Sequence, residues 1–228
     1  GVGLLSVMPP MFYQSLAVLT VGFVLVVYRQ PGRRPLAAAY LTTLAVIVHG
    51  TPAILYRTLR YSWSWKHVGI VDFIQRNGEL DPDARFLDIY HGWPGVFGLT
   101  ALVSDATGID ALTLAMWAPV AFTLVSLLAL SVLFRAFVDD QRIVWTAMGL
   151  CVLGNWVGQE YFSPQGFTFT LYLALLAISL PLERSRQHAA GKAAILRGIG
   201  PVATAGRERV AIIGLLLLLV VAIVGSHQ

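Results

Sequence analysis

The sequence predicts an all-α protein, a polytopic transmembrane helical bundle of about six spans that forms a single domain over residues 1–228. Its composition is the first observation behind this prediction. Apolar residues make up 57% of the chain and charged residues 12%, whereas a soluble domain carries about a quarter charged residues. The second is a set of apolar windows of about 15 to 25 residues, long enough as helices to cross a hydrocarbon core of roughly 30 Å. A multi-pass protein of the cell membrane is therefore expected.

The first two spans are predicted at residues 10–28 and 35–56. Pro9 and Pro10 stand at the start of the first, where proline is tolerated because first-turn amides have no helical acceptor. The second contains the sequence HGTP at residues 49–52, and its proline lacks the amide that a continuous helix needs. We expect this helix to be kinked or broken there.

Four further spans are predicted at residues 111–134, 143–157, 167–182 and 210–224. The apolar segment 92–104 is too short to cross, so it is either a re-entrant piece or an early part of the third span. The fourth window would be only about 22 Å long as a helix, which places the hairpin after it at headgroup depth or deeper.

The charges divide the loops into two sides. Arginine and lysine predominate at 29–34 and in the basic loop 184–209, while the segment 57–110 holds seven of the twelve acidic residues. The positive-inside rule makes 184–209 a cytoplasmic loop and 57–110 an extracytoplasmic loop. The cytoplasmic loop has no strong apolar period and is expected to be mobile. Because the positive charges lie in short loops between spans, they indicate membrane topology, and no nucleic-acid partner is predicted.

An amphipathic helix is predicted at residues 66–77 inside this first outer loop. Val68, Val71 and Ile74 recur at helical spacing, and a turn follows at Asn77 and Gly78. We expect the helix to lie in the membrane interface, with Trp63 and Trp65 near its start.

Glu160 and Asp88 are the first two candidate catalytic residues. A carboxylate at the predicted depth of Glu160 is costly unless it is paired or functional; the alternative is an interfacial carboxylate that faces water. Asp88 stands in LDIYHGWPG with Tyr90 and His91 close by. Asp88 and His91 could form a base with its orienting partner, or the segment is a structural turn whose histidine bonds to backbone.

Asp72 stands four residues before Arg76 on the predicted helix, so an ion pair is favoured over a catalytic role. His49, His67, His91 and His227 fall on or near the outer side and permit a divalent metal, but no ligand spacing supports one. No cofactor is therefore predicted. Cys151, the single cysteine, is expected to be a small buried apolar residue.

The order of these features resembles the first outer loop of the GT-C superfamily of membrane glycosyltransferases, which use polyprenyl-phosphate-linked sugars. Residues 61–78 are similar to the family's loop helix, and YHGWPGVFGLTAL (90–102) is similar to its proline motif. RYSWSWKHVGIVDFIQRNG, YHGWPG, NWVGQEYFSPQGF and the terminal SHQ resemble large actinobacterial, mycobacterial-type proteins of cell-envelope assembly. This resemblance implies that the chain is an N-terminal fragment of a longer protein.

The resemblance implies transfer of a sugar from a polyprenyl phosphate to a cell-envelope glycan or lipid on the outer face. The alternatives are a non-catalytic transporter, flippase or assembly subunit that binds a lipid-linked glycan, and a structural scaffold that works with other membrane subunits. The family carries an acid near the start of this loop, whereas residues 61–67 contain none. The candidate catalytic residues are therefore Asp88, Glu160, His67 and Asp72, and the candidate substrate-binding residues are Arg57, Arg60, Lys66, Tyr90, His91, Trp93, Tyr161 and Gln165.

Overall fold

A computed structural model describes residues 6–30, 32–56, 58–81, 83, 88–154, 160–195 and 206–226 of the chain. Within these ranges the regular structure is helical and contains no strand, which confirms the predicted all-α class. The helices are α1 (Pro10–Arg29), α2 (Arg34–Tyr56), α3 (Ser62–Asn77), α4 (Asp88–Gly92), α5 (Gly95–Thr107), α6 (Ala111–Phe137), α7 (Gln141–Leu153), α8 (Pro164–Ile195) and α9 (Gly206–Ser226).

Four of the described helices are long and apolar enough to cross a membrane: α1, α2, α6 and the Pro164–Leu182 part of α8. These coincide with the first, second, third and fifth predicted spans. The fourth and sixth predicted spans correspond to α7 and to Val210–Ser226 of α9, which are shorter apolar helices, as is α5.

The first hydrophobic core joins α1, α2, α6 and α7. Its buried residues include Phe23, Leu44, Val144 and Trp145. A Cβ at Gly149 would lie 2.8 Å from the ring of Phe23, so the glycine lets α7 approach α1 closely. This core fixes the position of α7, whose end leads to Glu160.

A second core lies where α3 packs on α5 and α6. Ile70 and Val71 of α3 are buried against Phe97 and its neighbours, and α3 ends at a left-handed Gly78 with φ 73°. The predicted amphipathic helix is thus present and begins earlier, at Ser62. Its apolar face was expected to lie in the membrane interface, but α5 covers much of it, because α5 supplies a complementary apolar surface.

Helix α5 is a separate helix, not the beginning of the third span. Gly108 ends it in the left-handed conformation with φ 72°, and Asp110 then caps α6 by accepting a hydrogen bond from the amide of Thr113 at 2.8 Å. At its other end, a Cβ on Gly95 would overlap the Ser226 side chain. The end of α9 therefore lies beside the first turn of α5.

Two predicted boundaries were wrong. Helix α2 continues through Pro52 to Tyr56, so the second span is not broken at residues 49–52, and a kink there stays a prediction. Helix α7 ends at Leu153, earlier than residue 157. Helix α8 continues to Ile195, so the first part of the 184–209 loop is helical, because the segment is rich in alanine, arginine and other strong helix formers.

Candidate functional site

Glu160 lies just before α8 and its carboxylate is buried, with only 8% of the side chain exposed. Arg60, in the loop between α2 and α3, places Nη1 3.7 Å from Glu160 Oε1. His49 Nδ1, from the C-terminal half of α2, lies 4.0 Å from the same oxygen. The water-facing interpretation of Glu160 is therefore wrong: the carboxylate is buried and paired, as an acid at low dielectric requires.

Two neighbouring pairs link the segment before α3 to the segment before α8. Arg60 pairs with Glu160, and the next residue of each segment forms a ring contact, Tyr61 with Tyr161, at 4.9 Å between centroids. The Arg60 guanidinium also lies 5.2 Å from the Tyr61 ring centroid. Burial, followed by the negative charge of Glu160, raises the pKa of Tyr61, so its phenol is neutral at neutral pH.

His67 anchors the same segment from α3. Its ring is fully buried, and Nδ1 donates a hydrogen bond to the backbone carbonyl of Phe162 at 2.8 Å. Ser64 Oγ donates to that carbonyl at the longer distance of 3.4 Å. Burial lowers the pKa of His67, so the imidazole is neutral, with its proton on the nitrogen that faces the carbonyl. His67 therefore holds the segment that carries Glu160.

Aromatic rings surround the His67 imidazole. Tyr90 meets it edge-on at 5.1 Å, Phe97 lies at 5.6 Å, and Tyr161 stacks nearly parallel to it at 6.3 Å, with 12° between the ring planes. Tyr90, a predicted substrate-binding residue, is itself buried in this cluster. The structure thus brings together three of the predicted residues, His67, Tyr90 and Tyr161, in one aromatic cluster.

Asp72 and His91 each have a local partner. Asp72 is half-exposed and its Oδ1 accepts from Arg76 Nε at 2.9 Å, which confirms the predicted ion pair. His91 Nδ1 accepts from the backbone amide of Asp81 at 3.1 Å, as the structural-turn alternative expects.

The remaining predicted residues are dispersed. Lys66 Nζ lies 3.2 Å from the ring centroid of Trp63, while Trp93 and Gln165 are exposed near the starts of α5 and α8. Asp88 begins α4, but its side chain lies outside the described residues, as do the whole of Arg57 and His227. In the described part of the chain, no three His, Cys, Asp or Glu side chains converge as they would around a metal ion.

An apolar groove of about 290 Å³ opens between α6, α7 and α8, and Glu160 lines it. Gly154, which follows α7, and Gly166, in the first turn of α8, also line it. Cys151 also lines the groove and is exposed, which corrects its prediction as a buried residue, since it lies on the open side of α7.

A second, much smaller cavity of about 20 Å³ is lined by both partners of Glu160, Arg60 and His49, together with Tyr61 and Ser64. This volume can hold a single water molecule. Neither nitrogen of the buried His49 ring has a hydrogen-bond partner among the described residues. The Glu160 carboxylate thus lines an apolar groove, and its neighbours Arg60 and His49 line a separate small cavity.

His49 and Tyr61 belong to this site although the sequence did not single them out for it. A histidine inside an otherwise apolar window was the available signal for His49, because such a residue is costly in a membrane helix unless it has a partner. Tyr61 carries no comparable signal, since aromatic residues are common at the ends of membrane helices.

Comparison with protein-family models, with curated proteins and with solved structures gives no match to this chain.

Proposed function

We propose that this protein is a multi-pass membrane glycosyltransferase of the GT-C type that acts at the outer face of the cell membrane. In this proposal α7 and α9 complete a bundle of six spans, and a polyprenyl phosphate supplies the sugar. The observation that carries the proposal is a buried carboxylate, Glu160, that lines an apolar groove of about 290 Å³ while an arginine stands 3.7 Å away. This arrangement suits a substrate with both a lipid chain and a polar reacting group.

Glu160 is the proposed general base. An acceptor hydroxyl donates a hydrogen bond to the carboxylate, and its proton moves to Glu160 as the hydroxyl oxygen forms a bond to the anomeric carbon. The bond between that carbon and the phosphate oxygen breaks, and its electron pair leaves with the polyprenyl phosphate. Glu160 then releases the proton to water.

Arg60 is the proposed phosphate-binding residue. About half of its side chain is exposed, and a guanidinium has five N–H donors, so contact with Glu160 leaves others for a phosphate. A cation there stabilises the charge that builds up on the leaving phosphate.

The other predicted acids and bases support this role less well. Asp72 is engaged by Arg76 at the surface, and His67 is fully buried with its donor nitrogen bonded to the Phe162 carbonyl. Glu160 combines burial, a cationic neighbour and contact with open space.

The test is sugar transfer by the purified protein in lipid nanodiscs, offered a panel of polyprenyl-phosphate sugars. Replacing Glu160 by Gln keeps the shape of the side chain and removes the base, so we expect the transfer rate to fall by about 10²- to 10⁴-fold. Asp72→Asn is the matched control, because it removes a carboxylate engaged in a surface ion pair and should leave transfer unchanged. Wild-type transfer rates in Glu160→Gln would refute the assignment of the base.

Binding of a lipid-linked glycan without transfer is the second candidate function. The observation that favours it is the ion pair between the buried Glu160 and Arg60, because such a pair can serve conformational specificity alone. This function predicts that the lipid-linked sugar is retained in native mass spectra and that no member of the donor panel turns over. Turnover of any donor would exclude it.

A further inference from the structure

His49 is a polar side chain buried in α2, a helix that is long and apolar enough to cross a membrane. Only 6% of the residue is exposed, and neither ring nitrogen has a hydrogen-bond partner among the described residues. A polar group that is buried without a partner lowers the free energy of unfolding. A histidine at this position therefore needs a physical reason.

The imidazole faces the Glu160 carboxylate. His49 Nδ1 lies 4.0 Å from Oε1, and Arg60 Nη1 lies 3.7 Å from the same oxygen. An N–H group that donates to a carboxylate brings the two heavy atoms to about 2.7–2.9 Å. A separation of 4.0 Å is that of two acceptors that share no proton. The proton of the neutral ring is accordingly assigned to Nε2, which leaves the lone pair of Nδ1 facing Glu160.

One added proton turns this contact into a hydrogen bond. A protonated carboxyl group has an O–H donor, and the unprotonated Nδ1 of His49 is an acceptor. Arg60 has donors only, so it cannot accept from that O–H. The two heavy atoms must move about 1 Å closer to form the bond. The small cavity of about 20 Å³ that His49 and Arg60 line leaves space for such a movement.

The other groups around the ring keep the proton on Glu160. Arg60 and the Val152 backbone also act electrostatically on the imidazole, but no hydrogen bond joins Val152 to it. An imidazolium would stand beside a guanidinium of like charge, in a buried site where an added charge is costly. His49 therefore accepts a hydrogen bond from protonated Glu160 and remains neutral.

We propose that His49 is a positioning residue for the general base, because it accepts a hydrogen bond from Glu160 once Glu160 has taken the proton of the acceptor hydroxyl. The proton stays bonded to the Glu160 oxygen until it passes to water. Protonation also removes the negative charge that holds Arg60, so the guanidinium becomes available as the leaving phosphate gains charge. This inference rests on the proposed function, for which it names a third residue of the site.

Sugar transfer in nanodiscs by His49→Leu and His49→Asn tests this role. The two replacement side chains have nearly the same shape, but the Asn carbonyl oxygen keeps an acceptor near the position of Nδ1. We expect kcat to fall about three- to tenfold further in His49→Leu than in His49→Asn, the value of one hydrogen bond. KM should be the same in both variants, because the ring nitrogens are buried and contact neither substrate.

Thr168→Val is the control for loss of a buried polar group. The Thr168 hydroxyl is also buried without a partner among the described residues, but Thr168 lines neither the groove nor the small cavity. This variant should transfer sugar at the wild-type rate.

Nitrogen-15 NMR of the labelled histidine side chains gives a readout that needs no turnover, with His49→Asn identifying the His49 signals by their loss. In the wild type at neutral pH we expect a proton on Nε2 and none on Nδ1. Glu160→Gln mimics the protonated carboxyl group, since its amide donates to Nδ1, so the Nδ1 signal should shift as a hydrogen-bonded acceptor does. Glu160→Met has a similar length and no N–H donor, and it should not produce this shift.

Two NMR results would overturn the inference: a proton on Nδ1 of wild-type His49, or the same Nδ1 signal in Glu160→Gln and Glu160→Met. Equal kcat values for His49→Leu and His49→Asn in a protein that transfers sugar would also overturn it, and would keep the proposed function. The expected NMR signals in a protein that transfers no sugar would reject the proposed function and retain the hydrogen bond between protonated Glu160 and His49.

Discussion

Replacing His67 by Leu tests whether one buried hydrogen bond holds the segment that carries Glu160. The variant keeps a side chain of similar size and apolar contacts, but it removes the Nδ1 donor that lies 2.8 Å from the Phe162 carbonyl. The carbonyl is then left with the longer 3.4 Å contact from Ser64. Loss of a buried partner costs about 1–3 kcal/mol of the free energy of unfolding, or several degrees in the midpoint for a chain of this size.

The pH dependence of the same variant gives a second readout. Burial lowers the pKa of His67 from its usual value of 6.5. Above this pH the imidazole is neutral in both folded and unfolded chains, so its contribution to stability is complete. As the pH falls below 6.5 the unfolded chain binds the proton first, so wild-type stability decreases. His67→Leu cannot bind that proton, and this part of the decrease should disappear.

The assay is thermal unfolding in detergent, followed by tryptophan fluorescence, for both proteins between about pH 7.5 and 5. The difference between the two midpoints isolates His67 from the other histidines, which both proteins share. Ser64→Ala is the control, because it removes only the weaker donor and should cost less. Equal midpoints for wild type and His67→Leu, or a midpoint difference that does not shrink on acidification, would refute the proposed anchor.

Three further predictions concern the packing around the site. Gly95→Ala should destabilise the fold by about 1–3 kcal/mol, because its methyl group would overlap Ser226. The control, Gly98→Ala in the same helix, has open space around it and should be neutral or stabilising. Equal unfolding midpoints for the two variants would contradict the close contact between α5 and α9. Gln75→Leu should lower the free energy of unfolding by about 1 kcal/mol, because the Gln75 amide donates to Ser104 Oγ at 3.1 Å and to Asp105 Oδ1 at 2.6 Å. An unchanged unfolding midpoint would show that this link between α3 and α5 is dispensable. Asp110→Ala should lower the unfolding midpoint at neutral pH, because it removes the cap of α6. Hydrogen bonds from Thr113 lower the pKa of Asp110 below 3.8, so the difference in midpoint from wild type should shrink as the pH falls below that value. A difference that stays constant with pH would argue against the cap.

The position of a helix can be predicted from the sequence where it depends on a local pattern of residues. Long apolar windows located α1, α2 and α6, and the glycine at position 78 marked the end of α3. The extension of α8 to Ile195 was missed because its alanine- and arginine-rich end lacks an apolar period, although its residues favour helix.

The candidate site depends on contacts that no local pattern encodes. Glu160 was identified from the cost of burying an acid, but its partner Arg60 lies far away in the chain and on a different segment. Likewise, the apolar face of α3 was visible in the sequence, while the helix that covers it was not. His67 was proposed as a base, and only the position of the Phe162 carbonyl shows what its nitrogen bonds to.

The hydrogen bond between His67 and Phe162 also orders events during synthesis of the chain. Its two residues are separated by 95 positions, so Phe162 is made about 5 to 20 s after His67 at usual rates of translation. Until then the His67 donor on α3 lacks the carbonyl that accepts its hydrogen bond, and Arg60 lacks its ion-pair partner Glu160. The seven helices α1 to α7 are therefore made before the proposed chemistry is possible, and synthesis of the segment before α8 supplies the partners of His67 and Arg60 together.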